Sequence, residues 1–137
     1  MGKKMRFEFL KTNKEVAFAT VEGCKPKLRV FQIMKQDGHT LYFVTAPGKE
    51  VYRQLQENPN VEILAMKGNV SVRIAGQVAF DVDDRTAQEI YAANPVLPRL
   101  YKSYTDLVYF RLAASSLDYF DLTPSPPVFE HYDYGQE

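Results

Sequence analysis

The chain has 137 residues, a length that allows one domain and hardly two. Hydrophobic residues make up 45% and charged residues 25%, which suits a folded protein and excludes a disordered one. Seventeen Lys and Arg balance seventeen Asp and Glu, so the chain lacks the basic footprint of a nucleic-acid-binding domain.

Nine Phe and nine Tyr without any Trp favour a β-rich fold, because aromatic side chains suit pleated, half-buried surfaces. The single cysteine, Cys24, excludes an internal disulfide framework and points to a reducing compartment. With only two His, it leaves no four-ligand zinc site, and no metal is expected. No apolar run approaches the ~20 residues of a membrane helix, and the start, Met1 to Arg6, leads into no signal-peptide core. A soluble cytoplasmic protein is the expectation, with neither membrane nor nucleic acid as partner. The charge is nonetheless skewed: residues 1–35 hold nine Lys/Arg against three Glu. That is compatible with one small anionic ligand or with a solvated basic face.

Residues 5–13 read as a short helix, although Phe7 and Phe9 also fit a strand period. Residues 15–21 form a strand, 22–27 a turn, and 28–34 a second strand, with the Asp37-Gly38 hairpin signal before a third at 41–45. Pro47-Gly48 breaks that strand. Residues 49–57 follow as a helix with Val51, Tyr52 and Leu55 on its inner stripe. Asn58-Pro59 ends it. Residues 61–66 are a fourth strand and 71–80 a fifth, in which Val72, Ile74, Val78 and Phe80 alternate with polar or small residues. Gly76 in its middle suggests a bulge or bend. Asp81 to Asp84 cap a helix over 84–93, with Thr86 to Glu89 as a capping box. A short helical piece ends near Tyr104. Residues 107–112 and 117–122 form a sixth strand, broken or bulged around 113–116, and the tail 123–137 reads as loop unless it docks. The pattern is mainly β with added α: a small antiparallel barrel in one 1–137 domain with its core at 5–122. So small a barrel leaves little interior, which directs a ligand to the rim or a subunit interface.

Arg29 lies by period two on the face of Phe31 and Ile33. It either snorkels to water or meets a Glu at an edge position, or aims its fork at a phosphate. Thr45 to Lys49 place a strand end, a glycine and a lysine at a helix start, an arrangement suited to an anion but common in helices generally. Ser71 and Arg73 share the polar face of the fifth strand, which a solvated outer surface explains equally well. No nucleophile or general base stands out: Cys24 and His39 sit in turns, and His131 in the tail. Any redox chemistry must come from a cofactor.

Val16-Ala17-Phe18-Ala19-Thr20-Val21 followed by Lys27-Leu28-Arg29-Val30-Phe31-Gln32 resembles the opening of the pyridoxamine 5'-phosphate oxidase-like, FMN-binding split-barrel superfamily. The resemblance continues through Leu41-Tyr42-Phe43-Val44-Thr45, Gly48 to Leu55, Asn58-Pro59-Asn60-Val61-Glu62 and Val72 to Val78, covering about residues 5–122. The Lys49 to Leu55 and Asn58 to Glu62 wording is most similar to the short Nim-type (nitroimidazole-resistance-like) branch.

The resemblance implies a six-stranded antiparallel split β-barrel with two or three peripheral helices. It also implies FMN as cofactor and a homodimer with FMN in the grooves between subunits. Position by position, Arg29 takes the place of the phosphate-binding arginine, and Val30, Phe31 and Gln32 pass along the isoalloxazine ring. Thr45 is the threonine closing the third strand, and Lys49 the basic phosphate ligand. Ser71 reaches FMN from the second subunit. The catalytic residues stay unassigned.

Two departures stand out. Lys49 is followed by Glu50 where many relatives have a second basic residue, which puts one phosphate contact and the FMN affinity in question. Residues 127–134 do not reproduce the oxidase's Arg/His substrate motif, so pyridoxamine phosphate oxidation is not expected. The implied function is an FMN-dependent oxidoreductase acting on a small redox substrate. The alternative is a non-enzymatic carrier or sensor of flavin, deazaflavin or a haem-like ligand. An OB-like barrel for single-stranded nucleic acid would need a basic groove lined with stacking aromatics.

Overall fold

Alternation of apolar and polar residues fixes the faces of the strands, as in Val70–Ala79, where Val72, Ile74, Gly76 and Val78 are buried and Arg73 and Gln77 are exposed. The computed structural model describes residues 2–135; Met1 and residues 136–137, the ends of the expected 1–137 span and its tail, lie outside the described residues. The strands are β1 (Glu15–Glu22), β2 (Lys25–Gln32), β3 (Lys35–Asp37), β4 (Thr40–Thr45), β5 (Asn60–Lys67), β6 (Val70–Ala79), β7 (Val108–Asp121) and β8 (Val128–Asp133). The helices are α1 (Gly2–Thr12), α2 (Glu50–Glu57), α3 (Asp84–Ala93) and α4 (Val96–Leu100). The sheet runs β2-β1-β5-β6-β7-β4-β3, with β8 also paired to β7, and every described pairing is antiparallel.

The split-barrel expectation holds, with two strands beyond the expected six. β3 has three residues and pairs only with β4, too short a run to leave a periodic signal. β8 replaces the loop expected for residues 128–133. Its inner positions are Val128, Glu130 and Tyr132, so the alternation is masked by a carboxylate that Arg6 of α1 grips at 2.8 and 3.2 Å. The two expected halves of the sixth strand are one continuous β7. At the start of α3, the cap is Asp83, whose side chain accepts from the Thr86 amide at 2.7 Å; Thr86 is therefore the donor and not the cap.

β7 organises the sheet. Its first half pairs with β4 and its second half with β8, both along one edge, while β6 runs along the other. The change of partner coincides with a bulge: Ala75 faces Ser116 and Gly76 faces Ala114, so Ser115 is the extra residue. A Cβ on Gly76 would collide with the Ala113 carbonyl oxygen and lie 2.9 Å from Leu112 Cδ1. The glycine expected at a bend is thus required by close approach of the backbones.

The inner face carries a chain of rings. Phe18 meets Phe31 at 4.9 Å and Phe43 at 5.1 Å, and Phe43 stacks on Phe110 at 5.6 Å. Phe7 and Leu10 of α1 and Val51 and Leu55 of α2 close the same core. A second cluster lies behind β4, where Val44 and Tyr109 pack with Ala87, Ile90 and Leu97.

Substituting Gly76→Ala should destabilise the protein by about 1–3 kcal/mol through overpacking, read as a lower urea midpoint; an unchanged midpoint would contradict the close approach. His131 is hydrogen-bonded to Asp118 (2.6 Å) and Asp133 (3.0 Å), and these contacts, Asp118's first, raise its pKa above the ordinary 6.5. A raised pKa stabilises the fold fully below the unfolded value, and the contribution is lost as pH rises through the folded one. The Tm difference between the native protein and His131→Gln should therefore be larger at about pH 5.5 than at about pH 8.

Candidate functional site

The site forms where α2 crosses β1 and the edge strand β2. Pro47-Gly48 releases the chain from β4, and extended Lys49 and helical Glu50 start α2, which stops at extended Asn58 before Pro59. Val51 and Leu55 bury the helix on the core, and at the same inner stripe stands Gln54, fully buried. Beneath it Thr20, on the inner face of β1 with Val16 and Phe18, is 1% exposed. Arg29 projects from β2 on the same side, opposite Phe18 in the register.

These three side chains form one network. Arg29 Nη1 donates to Thr20 Oγ1 at 2.7 Å and to the Phe18 carbonyl at 3.2 Å, and Nη2 donates to Gln54 Oε1 at 2.7 Å. The Thr20 hydroxyl donates to Gln54 Oε1 at 2.6 Å. Gln54 Nε2 donates to Glu22 at 2.9 Å and Glu50 at 3.2 Å. Every donor and acceptor of the buried amide has a partner, as burial of a polar group demands. Burial lowers the Arg29 pKa, opposed by the nearby Glu50 charge, and the guanidinium stays charged. The Glu22 carboxyl is held below its ordinary value, first by the Gln54 hydrogen bond and then by Arg53, 3.6 Å away.

An arginine has five N–H donors. Three are used here, all on Nη1 and Nη2, and two of their acceptors, Thr20 Oγ1 and Gln54 Oε1, are themselves hydrogen-bonded together. The side edge of the fork, Nε with the second Nη2 hydrogen, has no partner among the described residues. That two-donor edge has the geometry that phosphate and carboxylate accept. Lys49, exposed and without an ion pair among the described residues, precedes the first turn of α2, whose leading amides add donors. The donor set suits an anion; Glu50 is the opposing charge.

The other expected residues are spread over the two faces. Phe31 lies inward among the core rings. Val30 points to the opposite face and is 70% exposed, and Gln32 is exposed at the end of β2. Thr45 is buried at the end of β4. Ser71 is on the outer face of β6, between Met66 and Phe120 in the register. One chain therefore brings together Arg29 and the start of α2, with Phe31 below, and leaves Val30 and Ser71 on the other side of the sheet. A groove of about 880 Å³ also lies on that outer face, lined by Ala19, Glu62, Gln77, Arg111 and Ser115.

Thr20 and Gln54 were not among the expected site residues. Their signal is faint but present: each is a polar residue on a stripe whose other members are apolar. Both histidines are engaged elsewhere, His39 against the Tyr134 ring at 4.1 Å and His131 between two aspartates.

Comparison with known proteins agrees with this fold. The sequence model of a family described as pyridoxamine 5'-phosphate oxidase matches residues 3–121. No curated protein matches the chain. Among solved structures, a NimC/NimA family protein from Clostridium acetobutylicum is 26% identical, with a TM-score of 0.81, 97% of this chain covered and 92% of that one. A FAD-binding protein from Mesorhizobium loti is 16% identical, with a TM-score of 0.71, covering 85% and 92%. A heme-binding protein from Mycobacterium smegmatis is 15% identical, with a TM-score of 0.73, covering 93% of this chain and 56% of that one. With most of its length matched, and with a Nim-type protein among its structural relatives, the chain belongs to the pyridoxamine 5'-phosphate oxidase family and carries its split-barrel fold.

Proposed function

We propose that the protein is a cytoplasmic FMN-binding flavoprotein, a homodimer that acts as an oxidoreductase on a small redox substrate. The observation that carries this reading is the unused side edge of the Arg29 fork, held against α2 through Gln54, with Lys49 preceding that helix. In this reading Arg29 and Lys49 hold the phosphate, Val30, Phe31 and Gln32 border the ring system, Thr45 closes the site, and Ser71 is contributed by the second copy. The flavin, when bound, supplies the hydride or single-electron transfer. In this reading the chain's own part is to bind and orient the flavin.

The outer face supports the dimer. Leu28 and Val30 of β2 and Leu64 and Met66 of β5, the two strands that flank β1, are 69%, 70%, 41% and 68% exposed, an apolar surface of the kind that another protein surface covers. Exposed Cys24 suits a reducing compartment.

Glu50 favours a second reading, a non-enzymatic holder of a flavin, deazaflavin or haem-like ligand. Its carboxylate lies in the Arg29 network and offsets part of the charge offered to a phosphate. Turnover with a reduced nicotinamide donor and a nitro or quinone acceptor separates the two readings.

The visible spectrum of the purified protein titrated with FMN, alongside its mass in solution, tests the proposal; a flavin spectrum on a dimer is expected. Removing a charge-assisted contact, Arg29→Ala should weaken FMN binding by roughly ten- to a hundredfold, and Lys49→Ala by less. Full retention of FMN by both variants would place the phosphate elsewhere.

A further inference from the structure

Resting on the flavin reading above, we infer that Thr20 and Gln54 are positioning residues that make this site select a phosphorylated ligand over its dephosphorylated counterpart. A guanidinium can only donate and an ionised carboxylate can only accept. Between Arg29 on one side and Glu22 and Glu50 on the other, the Gln54 amide therefore has one workable orientation, with Oε1 toward Arg29 and Nε2 toward the carboxylates. Thr20 receives a hydrogen from Arg29 and must pass its own to Gln54 Oε1. Each bond fixes the direction of the next, and the network has a single polarity.

Two consequences follow for Arg29. The Thr20 and Gln54 oxygens, 2.6 Å apart, receive Nη1 and Nη2 respectively, so the end edge of the guanidinium is clamped and the side edge is presented. Gln54 also stands between the guanidinium and Glu50. It occupies the carboxylate with its own N–H, and Arg29 makes no ion pair among the described residues. Without Gln54, a flexible arginine would turn to that carboxylate, as opposite charges in a partly buried site attract strongly. The free fork would then be lost to any ligand.

A clamped two-donor edge distinguishes ligands by their ends. A phosphomonoester offers two charged oxygens at fork spacing, whereas an alcohol offers one neutral oxygen and leaves an N–H unpaired. FMN and riboflavin differ in this one group.

The test measures Kd for FMN and for riboflavin by quenching of flavin fluorescence, for the native protein, Gln54→Leu and Thr20→Val. The native protein should prefer FMN by about tenfold or more, and Gln54→Leu should weaken FMN by about tenfold while riboflavin changes by less than about twofold. Thr20→Val, which keeps the side-chain shape, should move the FMN to riboflavin ratio the same way, and it carries the test if Gln54→Leu does not fold. An unchanged ratio in a folded variant, or equal weakening of both ligands, overturns the inference, since a purely structural role would move both together. Binding of neither flavin by the native protein overturns the flavin reading and this inference with it. A native protein that binds both flavins equally overturns the inference alone.

Discussion

A charged side chain that points into a protein must find partners of the right polarity, and the order in which donors meet acceptors then becomes part of the structure. Arg29 imposes that constraint here. Its three used hydrogens require acceptors from β1 and α2, and the Gln54 amide that supplies one of them requires acceptors in turn from Glu22 and Glu50. The edge strand, its neighbour and the helix are thereby held in one arrangement. The half-buried position of Arg29 follows from the same arrangement: its aliphatic stem lies on the apolar side of β2 while its fork stays at the rim.

The rest of the fold makes this rim available. β7 is long enough to serve two partners along one edge, and the bulge at Ser115, between the partners of Ala75 and Gly76, is where it passes from one to the other. The rings of Phe18, Phe31, Phe43 and Phe110 fill the interior beneath the rim, which leaves no room for a cofactor inside the barrel. A ligand of flavin size must lie on the outside, against an edge or between two copies, in keeping with the apolar outer face of β2, β1 and β5.

Much of this was legible in the chain itself. The strict alternation of residues 71–80 announced β6, Gly76 announced its irregularity, and an arginine sharing a face with Phe31 stood out as a charge in need of a partner. What escaped was decided by pairs distant in sequence. Thr20 and Gln54 are 34 residues apart, and each alone looks like a tolerated polar residue on an apolar stripe. The inner carboxylate of β8, Glu130, makes sense only beside Arg6, 124 residues away. Local periodicity carries no information about such partners, because they are joined by the packing of α1 and α2 on the sheet.

The measurement that bears most directly on this account is a high-resolution structure of the flavin-loaded protein. Phosphate oxygens on Nε and Nη2 of Arg29, with Thr20 and Gln54 still bound to the opposite edge of the guanidinium, are the predicted result. A phosphate bound away from Arg29, or an Arg29 swung off Thr20 and Gln54 to reach it, would contradict the account.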